Sequence, residues 1–408
     1  MSEPETDEEW VSALVQGRKG LHQLPATISL KHAATLRRQA MALRYGVNLQ
    51  ACGEYTLDEA GAHCENMIGA TQVPLGVAGP LILRGKYGDE APRYIPLATT
   101  EGALIASVSR GCQALSAVGG VTVHVEDPGI TRAPVLRTRG IEHSQQTVSW
   151  IDAHREEIRQ LCEQGSRFLK LQEILPGMVG SSLYLRFRFT CGDAMGMNMA
   201  TLACERVIHQ LIEPATGAIC ISISGNVCTD KKSAAINFIH GRGKRIFAEA
   251  EIDKETLLST LKTQADALCE VQYRKNLLGS AMARSSGFNA HHANIIAAFY
   301  LACGQDIAQV AESADGITCV EDRGNGAIYA SIMLPDTPLA TVGGGTSLAT
   351  QREALALMGI IPGERPTGED TMRLAEMLGG AVLAGELSLL SAQASHHLGR
   401  AHQQLGRS

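Results

Sequence analysis

Between about Pro134 and Ile223 this 408-residue chain changes its hydrophobic period in an order that few folds accommodate. Pro134 to Arg137 reads as a short strand, and Ser144 to Gln164 as a polar-faced helix that turns Trp150, Ile158 and Leu161 inward. Phe168 to Ile174 and Ser182 to Phe189 alternate, which predicts a hairpin around Pro176-Gly177. Asp193 to Ile212 is helical again and Ala218 to Ile223 extended. The resulting order, β-α-β-β-α-β, is that of a split-βαβ, ferredoxin-like unit. Helix-rich sequence lies on both sides. The expected fold class is therefore α+β, a large helix-rich domain with this smaller one inserted.

On the N-terminal side, Asp7 to Gln16, Leu30 to Tyr45 and Thr56 to Glu65 read as helices, and ENMIGATQVPLGVAGPLIL as loops ending in a strand from Pro80 to Arg84. A core helix is expected from Thr99 to Gly119-Gly120, capped by Thr99 or Thr100, with Leu104, Ile105, Val108, Cys112 and Leu115 on one face. On the C-terminal side, Lys254 to Tyr273 reads as an amphipathic helix and Asn289 to Ser313 as a long apolar one. Ile328 to Leu334 reads as a strand, and TVGGGTSL as a glycine loop opening the helix Leu348 to Met358. A last helix begins near Thr371, with kinks expected at Gly379-Gly380 and Gly385.

Composition excludes several classes. The net charge of −6 argues against nucleic acid as the main partner. No uninterrupted apolar run has the length of a membrane span, and MSEPETDEEW is no signal peptide, so no membrane association is expected. The eleven cysteines show no metal spacing and read as reduced thiols, which points to a cytoplasmic address.

The chemistry concentrates in SISGNVCTDKKSAAINFIHGRGKR, residues 222–245. A helix is expected from Lys231 to His240, with Asp230 as its N-cap. Two lysines, Lys231 and Lys232, then sit at the positive end of a helix dipole, where cations are disfavoured. Their placement makes sense if an anion or a developing oxyanion lies in front of them. Asp306 falls in an apolar helical pattern, AAFYLACGQDIAQV, and a buried carboxylate there needs a partner such as lysine. Glu101 opens the helix after Thr99-Thr100, and His402 lies near the C-terminus. A Lys–Asp–Glu cluster suits carbonyl chemistry, with a cation for the oxyanion and a Glu raised by a neighbouring carboxylate until it can donate a proton. In GDAMGMNMA, Asp193 is expected to cap a helix whose first turn carries Gly196, where a phosphate or ribose could approach the backbone. No standard nucleotide or metal motif occurs, and GGGT at 343–346 reads as a tight turn.

Seven motifs in order, ENMIGATQVPLGVAGPL, TTEGALIAS, GDAMGMNM, SGNVCTDKKSAAIN, GFNAHHANI, GQDIAQ and TVGGGTSL, together resemble the 3-hydroxy-3-methylglutaryl-CoA reductase family over residues 55–402. Their wording is closer to its biosynthetic, NADPH-using class. The resemblance implies four regions: an N-terminal helical part (1–60), a large substrate and coenzyme A domain (61–133 and 223–408), and an inserted NADP-binding domain (134–222). It also implies a substrate loop at 223–235 and a C-terminal flap at 396–408.

The implied catalytic residues are Glu101 as proton donor, Lys231 for the oxyanion, Asp306 between them, and His402 as acid for the departing thiolate. Arg132, Ser224, Asp230 and Lys232 would hold the hydroxymethylglutaryl group. Ser107, Arg110, Lys275, His291 and Asn294 would contact coenzyme A. Ser166, Arg167, Asp193, Met195, Gly196, Met197 and Asn198 would contact NADPH. The family also implies a homodimer or tetramer with sites between subunits, the ENMIG segment belonging to the contact. Two departures concern coenzyme A: Ser109 replaces the asparagine of animal enzymes, and the loop before Asn289 is one residue shorter. Two other readings remain at this level, an NAD-dependent oxidative enzyme and an inactive acyl-CoA-binding homologue.

Overall fold

The computed structural model describes residues 6–25, 27–52, 70–89 and 91–405, with the side chains of Leu30 and of 396–405 outside the description. The helix expected at 56–65, the ENMIG segment and the side chain of His402 therefore lie outside the described residues. Eleven strands are described: β1 Leu75–Leu81, β2 Leu83–Arg84, β3 Arg93–Ala98, β4 Val121–Arg132, β5 Val135–Arg137, β6 Lys170–Val179, β7 Ser182–Thr190, β8 Ile219–Ser222, β9 Arg242–Ile252, β10 Ile317–Gly324 and β11 Ala327–Thr337. β1 and β3 form an antiparallel pair of their own. The rest follow the path β10-β11-β9-β4-β7-β5-β8, with β2 beside β4 and β6 beside β7.

β4 joins the two halves of this path. Its first part pairs with β9 and its last three residues, Ile130, Thr131 and Arg132, pair with β7. The register shifts between Glu126 and Gly129. Gly129 has φ +82, and a Cβ there would lie 2.4 Å from the carbonyl oxygen of Phe189. Only glycine lets the strand cross from one sheet to the other at that point.

The larger half packs on the helix Leu104–Ala117 and on the 37-residue helix Glu369–Leu405. By length and composition the stretch Glu369–Ser395 could cross a membrane, which the absence of a long uninterrupted apolar run did not anticipate. Its apolar window is 94% buried inside the protein, so it is the core helix here. The helix runs without interruption through Gly379, Gly380 and Gly385. Those glycines let neighbours approach: a Cβ on Gly379 would meet Ile246, and one on Gly380 would meet Leu83. Gly111 does the same from the other side, facing the Ala384 carbonyl.

The smaller half has the expected order, β5, two helices, β6, β7, a helix and β8, with spatial order β6-β7-β5-β8 and antiparallel neighbours. It has its own core, including Leu136, Ile158, Leu183, Leu185, Phe187, Phe189, Ala203 and Val207. Several local expectations are corrected. The hairpin turns at Gly180-Ser181, and Pro176-Gly177 pair within β6 against Leu185 and Tyr184. The helix expected from Ser144 is two, Ile141–Ala153 and Arg155–Glu163. The helix expected from Thr99 begins at Leu104, because Ala103 is left-handed and Thr99 Oγ1 accepts from the Glu101 N–H in a preceding turn. The helix expected from Lys254 to Tyr273 breaks at Lys262, which has φ +57. The one expected from Asn289 ends at Cys303, with left-handed Gly304 as its C-cap.

Candidate active site

The loop carrying the lysines is not helical. Asn226, Thr229 and Lys231 are left-handed, with φ of 65, 60 and 59. The helix starts only at Ala235 and ends at His240, so Asp230 is no N-cap. Non-glycine residues in this region cost about 1–3 kcal/mol each and persist where the surroundings over-determine them. Here the Cys228 carbonyl accepts from Thr131 Oγ1 at 2.8 Å, Thr229 Oγ1 lies 2.6 Å from Asn237 Oδ1, and the Lys231 N–H donates to Glu312 Oε1 at 3.3 Å. The misplaced cations are thus displayed by a strained loop, not a helix end.

Lys231 Nζ lies 2.8 Å from Asp306 Oδ2, the lysine partner that Asp306 needed. Asp306 is not inside a helix, however. It follows the Gly304 cap and starts the short turn Ile307–Gln309, its Oδ1 accepting from the Ala308 N–H at 3.1 Å. The hydrogen bond to Asp306, against a smaller desolvation effect, raises the Lys231 ammonium above the usual lysine range. The side chain is 44% exposed, so the charge faces solvent or substrate.

Behind this pair lies a buried network that sequence reasoning missed. Arg242 is fully buried at the start of β9, where charged RGKR hid the strand's alternation. Its Nη2 donates to Asp230 Oδ1 at 2.9 Å and its Nη1 to Glu312 Oε1 at 2.6 Å, while Nε donates to Thr131 Oγ1 at 3.0 Å. Gln309 Nε2 donates to the same Asp230 oxygen at 3.0 Å. Burial pushes Asp230 up, but the Gln309 hydrogen bond and the charges of Arg242, Arg132 and Lys231 outweigh it and hold the carboxyl below its ordinary range. Burial and the neighbouring Asp336 carboxyl push Glu312 up to about 9. Asn237 Nδ2 donates to Asp336, and its Oδ1 accepts from Arg186 at 2.7 Å.

The expected substrate residues collect around this loop. Ser224 Oγ lies 3.3 Å from Cys228 Sγ, and Lys232 Nζ donates to the Asp230 carbonyl at 3.1 Å. Arg132, at the end of β4, has a buried Nε without a hydrogen-bond partner. A guanidinium left partly unpaired beside Asp230 suits a carboxylate ligand.

A second cluster forms around Glu101. Asn294 Nδ2 donates to Glu101 Oε1 at 3.3 Å and lies 3.4 Å from His291 Nδ1. His291 Nε2 lies 2.9 Å from the Gly385 carbonyl. Buried Glu386 accepts from the Ala290 and His291 N–H groups at 2.9 and 2.7 Å. A lone acid in AVLAGELSLL carries the same signal as Asp306 did, and the same argument would have found it. Ser107 Oγ lies 2.9 Å from Ser388 Oγ, to which Arg110 Nε donates at 3.0 Å. Lys275 is half-buried on the segment Gln272–Gly279. Glu101 shares no hydrogen bond or ion pair with Lys231 or Asp306 among the described residues, so the expected triad appears as a pair and a separate acid.

The expected cofactor residues lie on the smaller half. Asp193 does not cap the helix Met197–Val207. It caps the start of the long helix instead, accepting from the Gly368 N–H at 2.7 Å and the Thr371 N–H at 3.1 Å. Its carbonyl accepts from the N–H groups of Thr341 and Val342, which seats the glycine loop. Gly196 has φ +90, and a Cβ there would lie 2.0 Å from Cys191 Sγ, so packing requires this glycine. The helix it opens has no side-chain cap and no acid in its first turn. Met197 Sδ lies 3.3 Å from Arg242 Nη2 and Met195 Sδ 3.9 Å from Gln309 Nε2, which brings this segment against the lysine loop. Asn198 is exposed. Ser166 Oγ accepts from the Phe168 and Leu169 N–H groups, and the exposed Arg167 guanidinium sits 4.5 Å over the Phe168 ring.

Comparison with known proteins identifies the family. The sequence model of the family hydroxymethylglutaryl-coenzyme A reductase matches residues 33–407. The 3-hydroxy-3-methylglutaryl-coenzyme A reductase of Methanothermobacter thermautotrophicus is 48% identical over 398 residues, covering 97% of this chain and 98% of that one. That of Pyrococcus abyssi is 45% identical over 409 residues, covering 98% and 99%. In fold, the chain is similar to a class II 3-hydroxy-3-methylglutaryl-CoA reductase from Streptococcus pneumoniae bound to NADPH, with TM-score 0.70 at 18% identity, covering 95% of this chain and 97% of that one. A match through nearly the whole length, with relatives of almost equal size at this identity, means that the chain belongs to the hydroxymethylglutaryl-coenzyme A reductase family of oxidoreductases.

Proposed function

We propose that this protein reduces 3-hydroxy-3-methylglutaryl-CoA to mevalonate and free coenzyme A, using two NADPH and passing through mevaldehyde. The observation that carries the proposal is the Lys231–Asp306 pair at 2.8 Å, displayed on a strained loop beside Arg132 and Asp230. NADPH supplies a hydride at each reduction. Lys231 stabilises the oxyanion that forms on the thioester carbonyl and again on the aldehyde. Asp306 orients the ammonium and keeps it protonated. Glu101 donates the proton to the aldehyde oxygen. The hemithioacetal collapses to mevaldehyde and thiolate, and His402 protonates the thiolate so that it cannot re-attack.

Arg132, Ser224, Asp230 and Lys232 hold the hydroxymethylglutaryl group, while Ser107, Arg110, Lys275, His291 and Asn294 hold coenzyme A. The residues expected to hold NADPH fit an anionic dinucleotide. An uncapped helix N-terminus at Gly196 leaves backbone N–H groups to a phosphate, and the exposed Arg167 guanidinium would take the 2′-phosphate. On this reading the smaller half (134–222) is the ferredoxin-like cofactor domain and the remainder binds substrate. A cytoplasmic homodimer or tetramer, with sites completed between subunits, belongs to the same reading. It also accounts for Glu101 standing apart from Lys231 in a single chain.

The deciding experiment measures initial rates of acyl-CoA reduction with NADPH and with NADH, and of mevalonate oxidation with NADP+ and with NAD+ in the presence of free coenzyme A, scoring free thiol alongside cofactor turnover. Reduction of the acyl-CoA with NADPH and stoichiometric thiol is the expected result. Faster mevalonate oxidation with NAD would favour the oxidative reading, and no turnover would favour the binding homologue. Sedimentation of an active monomer would overturn the assembly.

A further inference from the structure

The lysine loop leans on one buried carboxyl that the proposed chemistry does not touch. Glu312 lies on the short helix Val310–Ser313 and is 1% exposed. Its Oε1 accepts from the backbone N–H of Lys231 at 3.3 Å and from Arg242 Nη1 at 2.6 Å. The other terminal nitrogen of the same guanidinium holds Asp230 at 2.9 Å. Glu312 Oε2 lies 3.5 Å from Asn237 Nδ2, which also donates to Asp336 on β11. Both residues of the Asp230-Lys231 step are thereby fixed from one side chain, one through a guanidinium and the other through the main chain. Asp306, which takes the Lys231 ammonium, belongs to the same unit of turn and helix, residues 306–313. That unit grips Lys231 at both ends.

We infer that Glu312 is a positioning residue that acts by reach: it fixes the left-handed backbone of Lys231 and, through Arg242, the carboxylate of Asp230, so that the ammonium is aimed before substrate arrives. This rests on reading Lys231 as the oxyanion-stabilising cation. The reach matters because a left-handed lysine has no local reason to stay so, and relaxing it would swing Nζ away from the carbonyl. Displacing a catalytic group by about 1 Å costs on the order of 10²-fold in rate. Charge matters less. Both contacts to the loop, from the Lys231 N–H and from Arg242 Nη1, are accepted by Oε1, and the oxygen of an amide of equal length can accept them; burial and the Asp336 carboxyl also hold Glu312 above the ordinary carboxylate range.

Two conservative variants separate reach from charge. E312Q keeps the length and loses the charge, whereas E312D keeps the acid and shortens the side chain by one methylene. With folded protein confirmed by circular dichroism, E312Q should retain kcat for the acyl-CoA within about threefold. E312D should lower it by about tenfold or more, with the KM for NADPH unchanged in both. The opposite order would mean that Glu312 only neutralises Arg242 and would overturn the inference, as would equal losses.

A second readout needs no turnover. Acetylation of Lys231 by acetic anhydride in the full chain, followed against pH by mass spectrometry, reports its ammonium directly. E312D should lower the apparent pKa towards that of an ordinary lysine, and E312Q should leave it raised. If the wild type fails to reduce the acyl-CoA while labelling still separates the two variants, the positioning role stands and the substrate reading falls. If the wild type turns over and labelling does not separate them, the positioning role falls.

Discussion

The lysine loop and the segment 192–198 face each other across the junction of the two halves, yet they are built on opposite principles. Around Lys231 the constraint is polar: Arg242, Glu312, Asp336 and Asp230 lie buried or half-buried in one network with Thr131, Gln309 and Asn237. Around Gly196 the constraint is shape, a missing Cβ against Cys191 and two methionine sulfurs laid on Arg242 and Gln309. A site that must stabilise developing charge needs dipoles and ions fixed in advance, because reorganising them during reaction costs barrier height. A site that only has to hold a large ligand can rely on backbone access and a few exposed groups such as Arg167.

The largest effect expected from this contrast is on stability. Arg242→Met would leave Asp230 and Asp336 without their cation and Glu312 without its hydrogen-bond donor. Breaking a buried ion pair this way costs about 3–5 kcal/mol, to be read from urea unfolding. A loss under 1 kcal/mol would mean that the network is not a unit. Lys231→Ala should do the reverse, sparing stability while removing activity. Losing one preorganised oxyanion donor costs about 2.7–4 kcal/mol, roughly 10²–10³ in kcat, for both the acyl-CoA and supplied mevaldehyde. Aldehyde reduction at the wild-type rate would make the lysine structural.

On the other side of the junction, Arg167→Ala tests whether the cofactor region carries any charge dependence of its own. Hydrogen bonds to charged groups contribute about 1.5–3 kcal/mol, so the KM for NADPH should rise by roughly ten- to a hundredfold and that for NADH should stay put. Equal changes would remove Arg167 from the phosphate.

Per pH unit, the smallest effect is a slope in stability. Glu312 is raised in the folded chain, facing Asp336, Arg242, Asn237 and the Lys231 N–H, with Arg186 and Asp230 beyond them. Between the ordinary carboxylate range and about 9 the folded state therefore binds a proton that the unfolded state has released. Stability from this group is complete at low pH and falls as pH rises, by at most about 1.4 kcal/mol per pH unit. Unfolding measured from pH 6 to 8.5 should show wild type declining relative to E312Q. Parallel curves would mean that Glu312 is ionised throughout.

The motif segments were legible because each is local. The order of the smaller half follows from alternating periods within about ten residues, and it survived although its hairpin turned at Gly180-Ser181 instead of Pro176-Gly177. The pairing of Asp306 with a lysine was legible too, although Asp306 stands on a turn and is 35% exposed rather than buried in a helix as its apolar neighbours suggested. Four strands were not: β3, β4, β9 and β10. β4 carries a Pro and a Gly where it changes sheets, and β9 opens with charges that point inward. β10 ends in EDRG, and only pairing with β11 makes it extended.

By itself the sequence determined the family, the α+β class, the element order of the smaller half and the two residues of the central ion pair. Tertiary structure alone decided how that pair is held. Arg242 meets Glu312 across 70 positions of chain, and Asp193 caps a helix 175 positions away. A propensity or a period reports on neighbours along the chain, whereas a buried charge is stable only beside the particular partner that the fold delivers. Until the chain is folded, nothing distinguishes a carboxylate that will meet substrate from one that will spend its time behind the loop, setting the angle of a lysine.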